Sequence, residues 1–78
     1  MMKLKKGDVV LTSYPPGIGV VNRLCVMQIS DISNSINLVG NIIGGEADKS
    51  HLENNPWWFN KKQIVKKINQ KDLSLHLL

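Results

Sequence analysis

Few residues in this chain could perform covalent chemistry. A nucleophile needs an orienting base, and a metal needs several ligands at close quarters. The candidates are one cysteine, Cys25, two histidines, His51 and His76, and the acids Asp48 and Glu53 that flank His51. Cys25 falls inside the apolar band Leu24 to Ile29 and reads as a core thiol. His76 alternates outward in Leu73-Ser74-Leu75-His76-Leu77. Asp48, His51 and Glu53 lack both the carboxylate density of a calcium loop and the His and Cys count of a zinc site. Gly17-Ile18-Gly19 and Gly44-Gly45 open no helix after a strand and read as turn glycines, not phosphate loops. The inventory predicts no catalytic residue, no metal site and no cofactor, hence a protein that is not an enzyme.

The chemistry that is well supplied is stacking and anion contact. Pro56-Trp57-Trp58-Phe59-Asn60-Lys61-Lys62-Gln63-Ile64 concentrates the aromatic mass and opens the densest run of positive charge. Successive side chains leave opposite faces of an extended backbone, so two adjacent Trp cannot both enter one core. The alternation assigns Trp57 and Phe59 inward and Trp58 outward. An exposed indole beside lysines suits stacking on bases or anchoring a protein partner.

Charge is distributed unevenly. Lys3, Lys5 and Lys6 open the chain; between Asp8 and Phe59 only Arg23 and Lys49 stand against five acids; residues 60–71 then hold Lys61, Lys62, Lys66, Lys67 and Lys71 with no acid. If the termini meet on one side of the fold, they form a single basic face. The expected partner-binding set is Trp57, Trp58, Lys61, Lys62, Lys66, Lys67, Lys71 and Arg23, with nucleic acid or a nucleotide as the partner. Lysines near phosphates bind independently of sequence, and a single arginine supplies little base readout.

The elements that must position these residues are those of one small domain, residues 1–78. A chain of this length buries only about 60% of its unfolded surface. Lone Cys25 rules out an internal disulfide framework and fits a reducing, cytoplasmic location; no run of residues is long and apolar enough for a membrane span. Val9-Val10-Leu11-Thr12 reads as a first strand, broken by Ser13 to Gly19 with its two prolines. Val20 to Ser30 reads as a bent central strand with a bulge near Asn22-Arg23. Asp31 to Ser35 reads as a turn, and Ile36 to Ile43 as the hairpin partner with Ile36, Leu38 and Ile42 on one face. Residues 46–56 read as a polar surface loop. Asn60-Lys61-Lys62-Gln63 matches a capping box, followed either by a helix to about Lys71 or, as the β-branched pairs favour, by a strand over Ile64 to Ile68. Leu73 to Leu77 alternates and reads as a last strand, whose Leu73, Leu75 and Leu77 offer an edge for homo-oligomer pairing.

Lys6-Gly7-Asp8-Val9-Val10, a long bent strand, a hairpin, and an aromatic before a short turn into a final β segment together resemble the small barrel of Src-homology type. The resemblance implies a mostly β, five-stranded SH3-like barrel with one short helical turn before the penultimate strand. It also implies kinship with small basic proteins of phages and mobile elements, which include nucleic-acid binders and antagonists of host defence systems. A protein-interaction module inhibiting a host defence complex is therefore the alternative to nucleic acid.

Overall fold

The structure is a computed structural model and describes residues 3–16, 18, 23–69 and 71–72. It is mostly β. Five antiparallel strands, β1 (Val9–Ser13), β2 (Leu24–Ile32), β3 (Asn37–Gly45), β4 (Trp57–Asn60) and β5 (Ile64–Lys67), form one sheet in the order β4-β3-β2-β1-β5. A short helix, α1 (Lys49–Glu53), lies between β3 and β4, and a 3-10 turn (Lys61–Gln63) joins β4 to β5.

That last connection shapes the molecule. β4 and β5 are the two edges of the sheet among the described residues. In a flat five-stranded sheet they would stand about 19 Å apart, at about 4.8 Å per strand. Three 3-10 residues advance only about 6 Å. The end of β4 and the start of β5 are therefore brought close, and the sheet curls at that end.

The inner side chains are Val10, Tyr14, Cys25, Met27, Ile29, Leu38, Ile42 and Phe59, one contiguous buried cluster. Aliphatic residues dominate, and Phe59, 1% exposed, is the largest of the fully buried side chains. Removing a ring of that kind costs about 3–5 kcal/mol. Val26 is buried too, although it stands between two core residues and pairs with Leu11 on the opposite side of the sheet. Both sides of central β2 are thus covered in part.

Several expectations need correction. The central strand runs from Leu24 to Ile32, so Asp31 and Ile32 belong to it and not to the turn; Val20 to Asn22 lie outside the described residues. Among the described residues its irregularities against β3 fall at Val26/Met27 and Ile29/Asp31; the bulge expected near Asn22-Arg23 falls at the limit of the described residues, Asn22 lying outside them. The turn is instead closed by Asn34, whose Oδ1 accepts from the backbone N–H groups of Ile36 and Asn37, both at 2.8 Å. This short-range bonding pulls Ile36 out of the strand, and it is exposed while Leu38 and Ile42 are buried. Residues 46–56 are not all loop, because α1 occupies their middle. The aromatic run is itself a strand, β4, which the sequence did not suggest, and the capped turn leads into β5, the strand expected over Ile64 to Ile68. The strand favoured over a helix after the capped turn is present as Ile64–Lys67, and the expected Leu73 to Leu77 strand with its oligomer edge lies outside the described residues. Among the described residues no helix is long and apolar enough to cross a membrane.

Candidate functional site

β4 is positioned from both ends. Before it, Asn55 imitates a strand neighbour: its Oδ1 accepts from the Ile42 N–H at 2.7 Å and its Nδ2 donates to the Ile42 carbonyl at 3.0 Å. After it, Asn60 Oδ1 accepts from the Lys62 N–H and Gln63 Oε1 accepts from the Asn60 N–H, both at 2.8 Å. This is the reciprocal capping box expected from the sequence. Gln63 Nε2 also donates to the Tyr14 carbonyl, fastening the turn to the end of β1.

Between these anchors the side chains alternate. Phe59 opposite Leu38 enters the core; Trp58 opposite Val39 faces outward and is 59% exposed. Trp57 packs against the core half-buried, and its Nε1 donates to the His51 carbonyl at 2.9 Å. The adjacent indoles therefore divide as the alternation predicts, one held by structure and one presented to solvent.

The lysines form two groups. Lys61 and Lys62 lie in the capped turn that follows β4, after Phe59 and Asn60, Lys62 exposed and Lys61 half-buried. Lys66 and Lys67 lie on β5 across a register shift between Leu11 and Thr12. That shift turns Lys67 onto the side of Val10 and leaves Lys66 opposite Leu11 on the outer side. Lys67 Nζ stands 3.4 Å from Asp8 Oδ2, and Asp8, only 9% exposed, also accepts from the Lys5 N–H at 3.0 Å. Asp8 thereby ties the N-terminal segment to β5. Lys3, Leu4, Lys5 and Lys67 consequently line one open cleft, so Lys3 and Lys5 of the N-terminal segment come together with Lys67 of β5. Lys71 is exposed beyond β5.

Arg23 stands apart from both groups. It pairs with Asp48 at 3.1 Å, and Tyr14, followed by Asp48, raises its pKa above the ordinary arginine value. Tyr14 itself donates to the Glu46 carbonyl at 2.7 Å and accepts from the Asp48 N–H at 3.1 Å. The guanidinium serves this corner, where β1 and the start of β2 meet the segment leading to α1. Sequence reading missed the corner because its partners are 25 to 34 residues apart. His51 completes it, edge-on to both Tyr14 and Trp57, with Nδ1 buried without a hydrogen-bond partner and 3.9 Å from Asp48 Oδ2. The only signal was the presence of Tyr14 and His51, both aromatic, in otherwise polar or proline-rich stretches.

Among the described residues no group of three or more His, Cys, Asp or Glu gathers where a cation could be held. Cys25 is buried, and desolvation pushes its thiol pKa up to about 11, which leaves it protonated and unreactive at neutral pH. Comparison with protein-family models, with curated proteins and with solved structures finds no match, so the site is read from its own geometry. The arrangement is that of a small curled β domain carrying an exposed indole on an edge strand beside lysines.

Proposed function

We propose that this chain is a small non-enzymatic binding domain, its curled sheet a barrel of Src-homology type, that holds an anionic partner, nucleic acid or nucleotide. One observation carries the reading: Trp58 is presented to solvent from a strand anchored at both ends, with Lys61 and Lys62 in the capped turn that follows. Anchoring matters because a ring already held in place loses little conformational freedom on binding. Lys66, Lys67 and Lys71, with Lys3 and Lys5, extend the positive surface beyond the turn. Arg23 is left out of the binding set, since it pairs with Asp48 at the Tyr14 corner, apart from both lysine groups.

The test is the salt dependence of binding. Four lysine–phosphate contacts to a single strand release enough counterions to weaken binding about 50-fold between roughly 50 and 200 mM salt. Affinity that stays flat across this range contradicts the reading. Exposed Ile36 and Trp58 favour a second reading, a phage-type module docking on a host defence protein. In a pull-down from the source cell, nuclease treatment separates the two: nucleic-acid binding loses its bound material, and the protein partner stays.

A further inference from the structure

The outer face of β2, β3 and β4 carries more than Trp58. Inner positions of β3 are Leu38, Gly40 and Ile42, all buried, so Asn37, Val39 and Asn41 face outward. Register then places Asn37 opposite Asn60, Val39 between Trp58 and Asp31, and Asn41 opposite Gln28. Directly opposed residues on one face stand about 5 Å apart and diagonal ones about 7–8 Å, within reach of an indole. Trp58 is thus diagonal to Asn41, and Asn41 is directly across from Gln28. Gln28 is steadied where its Nε2 donates to the Gly7 carbonyl at 3.3 Å, and Lys6 Nζ lies 3.7 Å from Asp31.

We propose that this face takes single-stranded nucleic acid, with one base stacked on Trp58 and the edge of a neighbouring base met by the carboxamides of Asn41 and Gln28. The inference rests on the reading that this surface binds nucleic acid and adds the form of it. An exposed indole gains only from a base whose face is open, and in a duplex that face is covered by its neighbours. Carboxamides both donate and accept, which is what an unpaired base edge requires. Lys61 and Lys62, in the turn that follows β4, supply cations to such a path, and Lys6, paired with exposed Asp31 at 3.7 Å, offsets that carboxylate on the same face. Duplex reading has little support by contrast: α1 is only five residues long, too short to read a groove, and Arg23 is engaged by Asp48.

The experiment titrates the 78-residue protein into labelled single strands of about 8 nucleotides, DNA and RNA, a hairpin duplex, and inorganic polyphosphate. The expected result is a single strand bound at least about ten-fold tighter than duplex or polyphosphate, the better of RNA and DNA naming the source. Trp58→Ala removes that preference, weakening single-strand binding about 5- to 150-fold while polyphosphate binding holds, and Trp58→Phe restores most of it. Asn41→Ala with Gln28→Ala keeps the single-strand preference but alters the ranking of adenine, cytosine and thymine strands. Equal affinity for single strand, duplex and polyphosphate overturns this inference and leaves anion binding standing. Binding to none of them overturns the function proposed above.

Discussion

Three glycines separate the two ways a missing Cβ matters. Gly7 has φ +91° with open space where a Cβ would sit, so Gly7→Ala meets backbone strain alone. Its cost is about 1–2 kcal/mol, the penalty for an L residue at positive φ. Gly40 has the opposite problem: a Cβ would stand 2.8 Å from the Gln28 carbonyl oxygen and 3.1 Å from Phe59. Backbone on one side and a core ring on the other leave little room to yield, and overpacking of this kind costs about 1–3 kcal/mol. Gly45 combines both, with φ +84° and a Cβ 2.8 Å from the Cys25 Cα. Gly45→Ala should therefore cost about 2–5 kcal/mol, the sum of strain and crowding. Each substitution regains about 0.4–1 kcal/mol by stiffening the unfolded chain, which lowers all three values without changing their order. Urea melts give the differences directly, and in thermal melts each kcal/mol lowers Tm by about 4–8 °C in a domain of this size. A Gly40→Ala variant as stable as wild type, or a Gly45→Ala variant no weaker than Gly7→Ala, would refute the close strand approach that lets Phe59 lie against β3.

Two further outcomes follow from the packed interior. Tyr14→Phe removes the hydroxyl that serves both the Glu46 carbonyl and the Asp48 N–H, and should cost about 1–3 kcal/mol in urea melts while polyanion binding is unchanged. Cys25→Ala should cost about 1–2 kcal/mol near neutral pH as a small core deletion. The folded thiol titrates near 11 against an ordinary 9.0, so the unfolded chain ionises first. The thiol's contribution is complete below about 9 and lost as pH rises toward about 11, and the wild-type advantage over Cys25→Ala should shrink across that window. Rapid thiol labelling of the native protein at pH 7 would contradict the burial.

Local chemistry was the most legible part of this chain. The capping box at Asn60 and Gln63, the outward turn of Trp58 and the burial of Phe59 and Cys25 all depend on neighbours within a few residues, and sequence spacing reports them. Strand limits were less legible where polar residues form part of a ladder. Asp31 belongs to β2 because it faces outward opposite Val39, so its polarity is no obstacle to pairing. Helix α1 was hidden in a polar stretch because it buries none of its residues fully, which leaves no apolar period to read. Arg23 could not be assigned from sequence, since its partner Asp48 is brought close only when the curled sheet forms. Convergence of Lys3 and Lys5 with Lys67 was legible only as a condition on where the chain ends meet. The Asp8 bridge brings the N-terminal segment to β5.

The division of labour between the two indoles is tested most directly by measuring stability and polyanion binding on the same pair of variants. Trp57→Ala should lose stability, about 3–5 kcal/mol, because it vacates the packed side of β4 and strips the His51 carbonyl of its donor. Trp58→Ala should melt as wild type does and bind a single strand about 5- to 150-fold more weakly. If Trp58→Ala binds as tightly as wild type, the exposed ring is no platform and the account of this surface fails.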